Sequence, residues 1–217
     1  MLKVPPGYDD LLGDAAAAPI RGELHKLDVE GVAALLARRP QPRSTAALAA
    51  ATQRGSPPAE KVKHLHTFVC DHLEPGGFDA LLIGMSLDEL PADTFGLVTR
   101  ALVTWGTARP YTAAATLASM TGHHWRTVRA HLINHGIADP MGLPSMHALL
   151  DITETMVIEA IQEDKPEKTR LKREQFYNQL YVPDRVAVSV DGKTKPALAE
   201  PEVAEEAFDQ FARALGG

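Results

Sequence analysis

His64, His66, Cys70 and His72 fall within nine residues of one another. On a helix, His66 and Cys70 stand one turn apart, a spacing that can bring two ligands to one metal. The simpler reading is a helix whose three histidines surround a buried stripe of Val62, Leu65 and Val69. No second ligand pair occurs at the usual two-plus-two spacing, so the chain reads as carrying neither metal nor cofactor. His124, His131 and His135 also share one helical face. Protonated, they could sense pH or hold an anion, although a polar face that merely contains histidine accounts for them more simply.

The sharpest local pattern runs from Leu117-Ala118 through Gly122 to Thr127-Val128-Arg129 and Leu132. A small residue, a turn glycine and an Arg-bearing second helix match the spacing of a helix-turn-helix, which would aim Arg126, Thr127 and Arg129 at DNA. Charge argues against it. Between residues 111 and 150 the only charged residues are Arg126, Arg129 and Asp139, a weak footprint for a polyanion. The whole chain has 22 Lys and Arg against 28 Asp and Glu, a net charge of −6.

Catalytic constellations are missing. The sequence has no Gly-rich phosphate loop, no G-x-S-x-G elbow and no H-E-x-x-H pair. Asp151, Glu154, Glu159 and Glu163 read as a solvated helix face, and Lys165 to Arg173 as a basic one. The expectation is a protein that is not an enzyme.

The elements that would position these residues are mostly helical. Tyr8 to Leu12 suits one helical turn, and Asp28 suits the N-cap of a helix carrying Val32, Leu35 and Leu36. Residues 40–58 have almost no large apolar side chains and read as a linker, with room for a short Ala-rich helix. Order is expected to begin near Ala59, with a helix of Val62, Leu65, Phe68, Val69 and Leu73 ending at Pro75-Gly76-Gly77. An apolar segment from Phe78 to Met85 follows, then a capping-box pattern at Ser86 to Glu89. Phe95, Val98, Leu102 and Trp105 mark the next helix, and Gly106 to Pro110 interrupts it. Two short helices lie around Gly122, and Gly136 suits a helix end. Pro144 sits at a first turn, before the clearest stripe: Met146, Leu149, Leu150, Thr153, Val157 and Ile161. A charged helix carries Leu171, Phe176 and Leu180. Val186 to Val190 with Asp191-Gly192 is a strand-turn signal, and a last helix from Pro201 carries Val203, Ala207, Phe208, Phe211 and Leu215.

Composition agrees with that pattern. Aromatics make up 6% while 32 residues are alanine, a mixture that favours close helix packing over a broad sheet. Cys70 stands alone, which excludes an internal disulfide and suits a reducing compartment. No apolar run approaches the roughly 20 residues of a membrane span, and the N-terminal residues do not read as a signal peptide. The expected fold class is all-α, a multi-helix orthogonal bundle with one small β-hairpin near residues 186–195. The expected division is 1–58 as N-terminal segment and Pro/Ala-rich linker, then helical domains at 59–108 and 109–182. Residues 183–217 would hold a hairpin or extended segment and a C-terminal helix.

From about residue 60 onward the sequence resembles the tail assembly chaperones of long-tailed phages that infect actinobacteria. The likeness rests on His66 to Leu73 (HTFVCDHL), Pro91 to Gly96, Thr104 to Tyr111 and Asn134 to Met141. It continues through Leu143 to Asp151, Phe176 to Pro183 and Phe208 to Ala212. The resemblance implies a short product and a longer one sharing an N-terminus through programmed frameshifting, with Gly106 to Pro110 near the junction. It implies binding of the tape measure protein and help to tail-tube subunits that polymerise around it, in the host cytoplasm and without catalysis. Self-association is compatible with this role, and a membrane or nucleic-acid partner is not expected. Such a chaperone needs exposed apolar grooves, which Met120, Met141, Met146 and Met156 would make adaptable. The alternatives are a helix-turn-helix DNA-binding regulator and a structural tail or head-tail connector component.

Overall fold

The computed structural model describes residues 7–53, 55–183, 186–188 and 194–196. Its helices are α1 (Tyr8–Ala17), α2 (Ser44–Thr52), α3 (Pro58–His72), α4 (Gly77–Ser86), α5 (Thr94–Val103), α6 (Tyr111–His123), α7 (Trp125–Asn134), α8 (Met146–Ala160) and α9 (Pro166–Leu180). Two antiparallel hairpins complete it: β1 (His25–Val29) with β2 (Val32–Ala37), and β3 (Val186–Val188) with β4 (Thr194–Pro196). The fold is mostly α, and the hairpin expected near residues 186–195 is present. The helix expected from Pro201 lies outside the described residues.

The first hairpin replaces the helix expected over Val32 to Leu36. Gly31 adopts φ +75° between Val29 and Val32, the left-handed conformation a tight turn demands and glycine supplies at little cost. Leu27 and Val29 are buried while His25, Lys26 and Asp28 are exposed, so the strand follows a period of two. Val32, Leu35 and Leu36 satisfy a helical spacing as well, and the glycine turn decides between the two.

The linker reading of residues 40–58 is also corrected, because α2 lies at the centre of the molecule. Seven of its residues, from Ser44 to Ala51 with Ala47 excepted, are buried, and Leu48 has no exposure. Alanine has almost nothing to bury by itself. It does let neighbouring backbones approach closely, and α2 packs against both α3 and α6. Order therefore begins well before Ala59. At Gly122, inside α6 and not in a turn, an added Cβ would stand 2.9 Å from the Ala49 Cβ.

The α8 stripe behaves as its spacing predicts. Met146, Leu149, Leu150, Thr153, Val157 and Ile161 are all buried, and Ser145 Oγ caps the helix by accepting from the Ala148 N–H at 3.1 Å. Pro144 stands just before that cap. Met120 and Met146 fill the core, with Met141 and Met156 packed against it, so these methionines do not line an adaptable groove. The capping box at Ser86 does not form either: Ser86 closes α4, and its hydroxyl donates to the Ile83 carbonyl at 2.8 Å. At a fully buried site such as Leu48 or Leu149, truncation to alanine costs about 2–5 kcal/mol.

Candidate functional site

The histidine and cysteine run divides between two faces of α3. Cys70 Sγ lies 3.4 Å from His66 Nε2 on the exposed side. His72 is buried on the other side, with Nε2 2.8 Å from Ser44 Oγ and Nδ1 on the Phe68 carbonyl. Burial pushes the His72 imidazole down to about 4, against a smaller upward pull from its Phe68 bond. Among the described residues no three His, Cys, Asp or Glu side chains converge as a metal site would require. On α7, His131 and His135 stack with ring centres 4.2 Å apart, while His124 sits against His123 at 4.7 Å, one helix end away.

Arg126 and Arg129 are occupied by the protein itself. Arg126 pairs with Asp10, and Arg129 Nη1 lies 3.0 Å from Asp14 Oδ2. Asp14 Oδ2 also accepts from Trp125 Nε1 at 2.7 Å, so α1 covers the start of α7. Thr127 is exposed between the two pairs. In a recognition helix these N-terminal residues would face the groove, and here two carboxylates face them.

A second polar cluster joins groups far apart in sequence. Arg109 Nη2 donates to Asp151 Oδ1 at 2.7 Å and to Glu154 Oε2 at 2.6 Å. The Tyr181 hydroxyl donates to Glu154 at 2.8 Å and accepts from Arg109 Nε at 3.4 Å. Burial works against the Arg109 cation, but its three partners outweigh it and raise its pKa. His147 lies close by, its imidazole pushed down by burial and by the Arg109 charge, with Asp151 pulling the other way. Glu154 is therefore not part of a solvated face: it is buried and ties α8 to the ends of α6 and α9. Arg109, Glu154 and Tyr181 face one another, while the Asp151 carboxylate reaches into the cluster from a largely exposed position. The cluster clamps three helices. Sequence reading missed it because the bonded partners are 27 to 72 positions apart, so no local pattern joins the carboxylates to Arg109 and Tyr181.

The surface of α4 is different in kind. Of its ten residues only Leu81 and Gly84 are buried. Leu82 is 49% exposed and Ile83 58%, and Leu87 at the helix C-cap is 61% exposed. On α3, Val62 is 59% exposed, so the stripe expected to bury it is carried by Phe68, Val69 and His72 instead. Val62 stands one turn from His66, whose ring meets Phe78 of α4 edge-on at 4.5 Å. Isolated exposed apolar residues are ordinary, but several on one helix face mark a surface that something covers. The apolar run from Phe78 to Met85 was visible in the sequence, and its exposure was not.

A family described as phage tail assembly chaperone protein matches residues 1–110. The chain belongs to that family. A second family, of unknown function (DUF7240), matches residues 120–217 of the chaperone. No curated protein and no solved structure matches the chain. The first match ends at the Gly106 to Pro110 interruption, yet the two matched regions share one core. Helix α2 lies in the first region and packs against α6, whose last residues lie in the second. Membership implies an assembly role with protein partners in the tail. Among the described residues no helix is long and apolar enough to cross a membrane.

Proposed function

We propose that the chaperone binds the tape measure protein of a long-tailed actinobacteriophage, keeps it soluble in the host cytoplasm and assists tail-tube subunits to assemble around it. It does so without catalysis. The observation that carries this reading is the exposed apolar face of α4 in a chain of the tail assembly chaperone family. A tape measure is long, helical and prone to self-associate, so its chaperone must offer apolar surface that is open before the partner arrives. Helix α4 offers it on a support held by α3 and α5, so the surface exists without prior rearrangement. The paired Arg126 and Arg129 favour no DNA-binding reading. Co-expression of the chaperone with the tape measure protein is expected to yield a soluble complex on size exclusion. A tape measure equally soluble alone, with no complex eluting, overturns the proposal.

A further inference from the structure

The charge along α4 and the turns that flank it is one-sided, the nearest bases in sequence being Lys61 and Lys63 at the start of α3 and Arg100 late in α5. From His64 to Thr99 the sequence has no Lys or Arg, but it has Asp71, Glu74, Asp79, Asp88, Glu89 and Asp93. Those six carboxylates equal the formal net charge of the entire chain, −6, so elsewhere acids and bases balance. Asp71 pairs with Arg43, at 3.4 Å. Asp79, Asp88, Glu89 and Asp93 are exposed, and none of them forms an ion pair with another described residue. Asp79 lies within α4, and Asp88 and Glu89 follow it directly. Burial raises the Cys70 thiol pKa, and the nearby Asp71 and Asp79 charges push it the same way. Ile83 and Leu87 stand one turn apart with Leu82 beside Ile83, and this apolar strip has Asp79 one turn before it and Asp88 and Glu89 directly after it.

We infer that this strip docks an amphipathic partner helix whose apolar edge is flanked by Lys and Arg. The inference rests on the chaperone reading and adds the chemistry of the segment recognised. A helix is the fitting shape, because α4 presents a row of side chains and not a sheet edge. Apolar contact supplies the area. The carboxylates choose among helices, since an acidic segment would meet four uncompensated like charges while a basic one meets partners. The same arrangement keeps copies of the chaperone from pairing through α4, because two such faces would bring their acids together.

The test labels Cys70, the chain's single cysteine, with a fluorophore beside the strip and titrates two synthetic helical peptides. Both carry leucines at i, i+3, i+4 and i+7; one is flanked by lysines and the other by glutamates. The lysine peptide is expected to bind at least ten-fold more tightly at low salt. That preference should shrink at 1 M salt, where screening acts within about 3 Å. Ile83→Ser with Leu87→Ser should abolish binding, and Asp79→Asn, Asp88→Asn and Glu89→Gln should remove the preference while circular dichroism stays unchanged. These positions are exposed, so the fold does not depend on them. Equal affinity for the two peptides, or binding untouched by the serine variant, overturns the inference. So does a concentration-dependent rise in mass by light scattering that the serine variant removes, which would make a second copy the occupant, its α9 exposing Leu171 and Tyr177. Tape measure co-expression separates this inference from the reading beneath it. If the serine variant solubilises the tape measure as well as the native protein does, the docking site fails and the chaperone role stands. If the native protein does not solubilise it, the role itself fails.

Discussion

Gly122 lies against the ring of Tyr8 so closely that a Cβ added to it would stand 2.6 Å from Tyr8 Cε1. The Ala49 Cβ, at 2.9 Å from the same point, closes the other side. The residue that reads as a turn glycine in a helix-turn-helix is therefore a contact glycine where α1, α2 and α6 meet.

Gly122→Ala tests that contact. In an open helix the change would stabilise by about 1 kcal/mol through helix propensity. Here the methyl group must displace an aromatic ring anchored through its hydroxyl to Ser119, and overpacking of this kind costs about 1–3 kcal/mol. The expected result is a lower urea midpoint, partly restored by Tyr8→Leu, which removes the ring edge. A rise in midpoint on Gly122→Ala alone would show that the three helices do not meet as closely as described.

The carboxylates on α1 should differ in importance. Asp14 serves Arg129 and the buried Trp125 indole N–H, whereas Asp10 serves only the exposed Arg126. Asp14→Ala leaves the Trp125 donor without its partner, and an unsatisfied buried donor costs about 1–3 kcal/mol. Asp10→Ala is expected to be nearly silent in the same denaturation assay. Releasing both arginines by Asp10→Ala with Asp14→Ala should still produce no salt-dependent shift of duplex DNA on a gel. A shift that disappears on adding Arg126→Ala and Arg129→Ala would restore the DNA-binding alternative.

Acid should destabilise the protein through His72. Its pKa of about 4 in the folded state lies below the ordinary imidazole value of 6.5, so the unfolded chain binds the proton more readily. The stabilising contribution is complete above pH 6.5 and is lost progressively as pH falls toward 4. His124, held down to about 4 by burial and by His123, acts in the same direction. Urea midpoints measured between pH 7.5 and 4.5 should fall, and His72→Gln should flatten that fall while lowering stability at pH 7.5 through the altered Ser44 contact. An unchanged slope in the variant would place the acid sensitivity elsewhere.

Much of this protein was legible before any coordinates. Period placed α5 and α8 with their buried faces, and it placed α3 and α9 as helices although Val62 and Leu171 of their apolar residues stay exposed. Gly136, with φ +84°, ends α7 as a glycine in that position should. The family resemblance pointed to the same role as the match over residues 1–110. The sequence misled where a residue's meaning depended on what packs against it. Alanines at 46–51 read as a linker because they carry little hydrophobic signal, yet small side chains are what a crowded centre between α3 and α6 requires. Val32, Leu35 and Leu36 fit two periods at once, and the Gly31 turn chose the strand.

Tertiary structure alone decided which surfaces stay open and which charges are paired. Composition shows an apolar run at Phe78 to Met85, but only the thin packing of α4 on α3 and α5 leaves Leu82 and Ile83 facing outward. Charge counting gives two arginines near residue 127, but only the placement of α1 pairs them with Asp10 and Asp14. Arg109 and Tyr181 lie far in sequence from Asp151 and Glu154, and they meet because the start of α6 and the end of α9 converge on the middle of α8. Helical periodicity is a local property, set by hydrogen bonds four residues long, so the chain announces it. Exposure, charge pairing and close approach are set by contacts between distant segments, and no local pattern encodes them.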